Sequence, residues 1–169
     1  MKGLVKRCSS GYHVQRLEEL KNVDVIASTL LALNWSRRHC DTFKSQSLIQ
    51  LDCVACCYVQ NSLNQIELWV ASNSQTISDA DLDALIVDIG DNIPIFIVHN
   101  GQPYYMHAEM QLLVEINNSQ YTTNYIGVSK PCCEMCKKEL DNKNISYTHW
   151  HQSNVKKWQN PNSEGAYIK

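Results

Sequence analysis

The chain has 169 residues, 44% of them hydrophobic and 19% charged, the proportions of one ordinary globular domain with a sizeable core. No apolar run approaches the roughly 18 residues that span a bilayer. Met1–Arg7 is basic without an apolar stretch behind it, so neither a membrane span nor a secretory signal is expected. The net charge of −2 hides an asymmetry: residues 130–169 hold seven lysines against four acids, a local +3, while residues 1–129 carry −5. An anionic substrate would favour a basic end. The plainer reading is a solvated lysine face.

Val14 to Trp35 reads as a helix, with Leu17, Leu20, Leu30, Leu31 and Leu33 apolar and Glu18, Glu19 and Lys21 polar. Arg37 to Gln46 reads as a polar loop. Leu51–Val59 suits a buried strand, Asn61–Asn64 is turn chemistry, and Ile66–Val70 alternates as the return strand of a hairpin. Ser78, with Asp81 three residues on, caps a helix carrying Leu82, Leu85, Ile86 and Ile89, which Gly90 ends. Ile93–Val98 is a third strand, and Asn100-Gly101 a turn. A helix runs from about Met106 to Asn117. Tyr125–Val128 is a strand, and Pro131 fits the first turn of a helix from about Cys132 to Asn142. Ile145–Trp150 is a last short strand. The tail from Gln152 is polar, with Trp158 as a possible anchor. The division is an N-terminal helical segment (1–47), a core (48–151) and a C-terminal tail (152–169) within one domain. A hairpin followed by helix, strand, helix and strand implies a mixed sheet flanked by helices, with both later helix N-termini at one sheet edge, where ligands bind in such folds.

Eight cysteines could suggest disulfides. The chain is long enough to form a core without them, and several lie in apolar runs where a free thiol acts as a small hydrophobe, so reduced thiols and a reducing compartment are expected. Cys53-Val54-Ala55-Cys56 is a CxxC in strand context, where residues three apart face opposite ways, so both read as core.

Two motifs carry chemistry. The first is His107-Ala108-Glu109, and the second is Pro131-Cys132-Cys133-Glu134-Met135-Cys136. Cysteines three apart at a helix N-terminus can aim both sulfurs at one ion, and the helix dipole favours thiolate there. With a histidine from a second helix start they give three ligands and an open position, the catalytic zinc pattern. Zinc so held makes water nucleophilic near neutral pH. Glu109 can reach that water as a proton carrier without ligating. The alternative pair Cys132/Cys136, at i, i+4, could also share a helix face, although Cys133/Cys136 is preferred. A purely structural zinc would need a fourth ligand from Cys132, His99 or His149, and would leave Glu109 without a role.

This HxE…PCxxC pattern resembles the zinc-dependent cytidine and adenine deaminase superfamily over about Leu51 to Trp150. His107–Leu113, with Ile126-Gly127-Val128-Ser129-Lys130 before the double cysteine, is most similar to a toxin-type deaminase-like branch found in intracellular bacteria and fungi. The resemblance implies a three-layer cytidine deaminase-like α/β fold. It implies a Zn2+ cofactor on His107, Cys133 and Cys136, and Glu109 as proton shuttle. It also implies hydrolytic deamination of a nucleobase, with cytosine favoured. Single-stranded or duplex DNA, or RNA, is the favoured partner, ahead of a free nucleoside or nucleotide, and the chain could be a delivered effector. A structural-zinc interaction module and a different zinc amidohydrolase are the alternatives. This sequence departs from the pattern twice. The CxxC lies one residue late relative to Pro131, and a long stretch including the Ser78–Ile89 helix separates the hairpin from the HAE triplet. Candidate substrate contacts are Asn100 (with Asn73 as a second), Ser129 and Lys130, Tyr104 and Tyr105, and Trp150 with its neighbours His149 and His151. Tyr104 and Tyr105 could instead pack under the loop, and Trp150 could equally belong to the core.

Overall fold

Strands β2 (Val54–Gln60) and β3 (Ile66–Ser72) form the expected hairpin, paired antiparallel along their full length from Val54–Ser72 to Gln60–Ile66. The computed structural model describes residues 5–7, 22–38, 52–89, 93–152, 158–162 and 167–168. β4 (Ile95–Val98) joins β3 in parallel, β1 (Val5–Arg7) joins β4 antiparallel, and β5 (Gly127–Val128) joins β2 antiparallel. The order β1-β4-β3-β2-β5 is a mixed five-stranded sheet.

Among the described residues four helices cover it: α1 (Val23–Arg38), α2 (Asp79–Ile89), α3 (Ala108–Asn117) and α4 (Glu134–Asn142). The strands alternate between two cores. Ala55, Cys57, Val59, Trp69, Ala71, Phe96, Val98 and Val128 pack with Ala108, Met110, Leu112 and Leu113 of α3 and with Cys136 and Leu140 of α4. Val54, Cys56, Leu68, Val70, Ile95 and Ile97 pack with Ile26, Ala27 and Leu30 of α1 and with Leu82 and Leu85 of α2. Strands buried on both faces read as continuous apolar runs, which is how β2 and β4 appear in the sequence. The result is the three-layer α/β arrangement of a cytidine deaminase-like fold.

The stretch between the hairpin and the HAE triplet is a β3-α2-β4 unit that adds a parallel strand to the sheet. Its helix starts where the capping box predicts. Ser78 N–H donates to Asp81 Oδ2 at 2.9 Å, and Asp81 N–H reaches back to Ser78 Oγ at 3.4 Å.

Several expected boundaries move. The first helix continues through Arg38, because Arg37 bonds Asp81 on α2 and Arg38 pairs with Asp52. Val14–Lys21, most of the expected loop to Gln46, and Gly90 lie outside the described residues. Cys132–Cys133 is not helical. It forms a two-residue strand, β6, parallel to β7 (Trp150–His151), so α4 begins only at Glu134 and Pro131 precedes the strand. The expected strand Ile145–Trp150 is therefore divided. Ser146 makes a lone parallel bridge to Tyr125, and only Trp150 continues into β7. Trp158–Gln159, in the polar tail, is a buried strand (β8) paired with Tyr167–Ile168 (β9).

Candidate metal centre

His107 and Cys133 are the N-cap residues of α3 and α4, both with extended backbone (φ −62°, ψ 152° and φ −73°, ψ 163°). The two helix starts thus meet at one end of the sheet, and their unsatisfied N–H groups favour negative charge between them. His107 Nδ1 lies 3.5 Å from Cys133 Sγ and 3.4 Å from Cys136 Sγ. Two ligands 2.0–2.3 Å from one tetrahedral ion stand about 3.6 Å apart, so these separations are those of atoms sharing an ion. Among the described residues the cluster holds these three ligand atoms and no fourth. One imidazole and two thiols, with Cys133 and Cys136 buried, form a donor set that fits zinc with a position left open.

Cys136 N–H donates to Cys133 Sγ at 3.5 Å. The side-chain hydrogen bond from Cys136, helped by His107, holds the Cys133 thiol down to about 4 against the opposing effect of burial. Cys136 is pushed up, chiefly by burial. A divalent ion held by both sulfurs would displace any proton they carry.

The adjacent Cys132 takes the other direction, as consecutive residues of a strand do. Its thiol is raised by burial and by the charge of nearby Glu109. Glu109 is 2% exposed, and its Oε2 has no hydrogen-bond partner. Its charge also raises Cys53 and Cys136, which places the carboxylate among these sulfurs.

Cys53 corrects the reading of its CxxC as core. Cys56 is fully buried on the α1 side, but Cys53 precedes β2 and is half-buried. Ser129 Oγ donates to its sulfur at 3.8 Å, and burial and Glu109 push its thiol up to about 12. Cys53 therefore borders the site, which strand periodicity could not show because the strand begins one residue later.

The substrate candidates fall in different surroundings. Asn100 Nδ2 donates to Gln111 O at 3.1 Å and to Glu115 Oε2 at 3.3 Å, so its amide ties the loop to α3. Asn73, also buried, exchanges bonds with Cys53: its Oδ1 accepts from Cys53 N–H at 2.8 Å, and its own N–H reaches Cys53 O at 3.0 Å. Ser129 Oγ accepts from Val54 N–H at 2.9 Å. Tyr105 is half-buried, and its carbonyl accepts from Gln159 N–H at 2.8 Å. Tyr104 is 43% exposed and adopts φ 61°, the left-handed region that costs a residue with a Cβ. A 2.6 Å bond from its N–H to Asn73 O holds it there. Trp150 is 46% exposed rather than core, and Lys137 Nζ lies 5.3 Å from its ring centroid. His149 and His151 are exposed beside it, and Lys130 is half-buried.

Two positioning groups were not legible in the sequence. Gln111, fully buried one turn into α3, donates to Ser72 O at 2.7 Å and Met106 O at 3.1 Å and accepts from Asn100 N–H, fixing the loop before His107 to β3. Trp158 donates its indole N–H to Cys136 Sγ at 3.3 Å. Gln111 gives no signal beyond its place in the motif run, and Trp158 only its isolation in a polar tail.

Residues 106–162 match the family described as OTT_1508-like deaminase. The matched stretch contains both motifs, β6, α4 and β8, and it supports a deaminase activity. No curated protein and no solved structure matches the chain. Among the described residues, no helix is long and apolar enough to cross a membrane.

Proposed function

We propose that the chain is a zinc-dependent hydrolytic deaminase of a nucleobase, with cytosine favoured over adenine and a nucleic acid favoured over a free nucleotide. The observation that carries the reaction is Glu109: a buried carboxylate with an unpartnered oxygen, two residues from His107 in a His/Cys/Cys ligand set that has no fourth member among the described residues. An unpartnered buried acceptor costs free energy and is kept where something needs it. A purely structural zinc would give it no use.

His107, Cys133 and Cys136 would hold the ion, and zinc in such a site supplies water acidic enough to attack near neutral pH. Glu109 would take one proton of the attacking water and deliver it to the ring nitrogen, then take the second proton from the hydroxyl so added and deliver it to the departing amine. A C–O bond forms, the C–N bond breaks, and ammonia leaves.

The preference for a polymer substrate rests on the lysine-bearing end of the chain and on the exposed aromatic rings of Tyr104 and Trp150, which offer faces for base stacking. The toxin-type resemblance adds weight to it, including the reading as a delivered effector.

Glu109→Ala tests the reaction. The variant should keep its metal and its fold while ammonia release falls by about 10²–10⁴-fold. Full activity in that variant removes the mechanism. Cytosine, adenine and guanine substrates, free and in DNA or RNA, followed by sequencing for C-to-T or A-to-G changes, test the substrate. Turnover of free nucleotides alone would replace the polymer reading.

A further inference from the structure

We propose that Trp158 is a positioning residue of the metal centre, its indole N–H tuning the Cys136 thiolate ligand. The inference rests on the reading of His107, Cys133 and Cys136 as metal ligands.

Trp158 lies 22 residues beyond Cys136 and is 2% exposed. A buried indole needs an acceptor for its N–H, and here that acceptor is Cys136 Sγ at 3.3 Å. A hydrogen bond into a ligating thiolate is charge-assisted, and it draws electron density from the sulfur.

The bond is held from both sides by the segment that carries it. Gln159 N–H donates to Tyr105 O at 2.8 Å, and Gln159 Oε1 accepts from Gln102 N–H at 3.0 Å. Asn162 Nδ2 donates to Glu139 Oε2 on α4 at 3.1 Å. Residues 158–162 thus strap the loop before His107 to the helix after Cys133, with the indole on the ligand sulfur between the two anchors. Gly101 lets the strap lie close. A Cβ there would stand 2.5 Å from Gln159 Oε1.

Cobalt(II) substitution reads this bond directly, because thiolate-to-cobalt charge transfer reports the electron density on sulfur. In Trp158→Phe, which keeps a ring and removes the donor, the band should move to lower energy. The metal should also pass more readily to a chelator, by about 10–100-fold in affinity. A band that is present but identical in wild type and variant overturns the inference and leaves the metal site standing. The lack of any such band in the cobalt-loaded wild type overturns both. If Trp158→Phe does not fold, cadmium-113-loaded wild type decides. The Trp158 indole proton should show scalar coupling to cadmium through the sulfur, and its absence, with the cadmium resonance present, overturns the inference.

Discussion

His107 and Cys133, 26 residues apart in the chain, stand at the N-caps of two successive helices with Nδ1 and Sγ 3.5 Å apart. Neither side chain could reach the other if its helix began a turn earlier. The short β6–β7 pairing delays α4 to Glu134 and so sets that distance. It also sorts the three cysteines, with Cys133 and Cys136 beside His107 and Cys132 on Glu109.

That sorting gives the first prediction. Cys133→Ser and Cys136→Ser should each lose the metal and much of the thermal stability that metal confers, since binding energy at such a site is partly folding energy. Cys132→Ser should retain one metal per chain. Metal content and thermal unfolding on the purified variants check this, and loss of metal in Cys132→Ser with retention in Cys133→Ser would reverse the assignment.

Glu109 gives a second. Its buried, unpartnered oxygen is a cost to folding that an amide would reduce. In metal-free protein, Glu109→Gln should be more stable than wild type by about 1–2 kcal/mol in urea unfolding. An unchanged or lower stability would mean that Glu109 Oε2 is hydrogen-bonded in the folded protein.

Asp81 is the main polar joint between α1 and α2. Its carboxylate accepts from Arg37 Nε and Asn34 Nδ2, both at 2.9 Å, and from Ser78 N–H. Burial alone would raise its pKa, but these partners outweigh burial and hold it below the usual carboxylate value. A carboxyl depressed in the folded state adds stability that is complete above its unfolded pKa and is lost as pH falls through the folded one. Urea unfolding should therefore show a loss of stability below about pH 4 in wild type that is smaller in Asp81→Asn. Asp81→Ala should cost about 3 kcal/mol at neutral pH, because it strands buried donors.

Gly127 lies where β5 passes under the start of α1. A Cβ at this position would stand 2.5 Å from both Asp24 N and Val23 C, which are backbone atoms that cannot rotate aside. Asp24 Oδ1 also accepts from Val128 N–H at 2.9 Å, locking the same contact. Gly127→Ala should destabilise the protein by about 2–4 kcal/mol without changing which residues bind metal. Thermal unfolding with metal titration separates the two effects.

The sequence alone determined the ligand types, the HAE triplet, the hairpin, the capped helix at Ser78 and the layered α/β plan. Each of these depends on local periodicity or on short spacing, which the backbone converts directly into geometry. It left open which of Cys132 and Cys133 belongs with His107, because that choice depends on whether those two residues are helix or strand. A pairing with Trp150–His151, 18 residues on, decided it. Cys53 reached the edge of the site because β2 starts at Val54, and Trp158 reached Cys136 because residues 158–162 are strapped to two separate elements. Asn100, plausible by position, turned to α3 once Gln111 and Glu115 were brought beneath it. Contacts of this kind join residues far apart in the chain through packing and hydrogen bonding. No local pattern encodes them, and only the tertiary structure decides them.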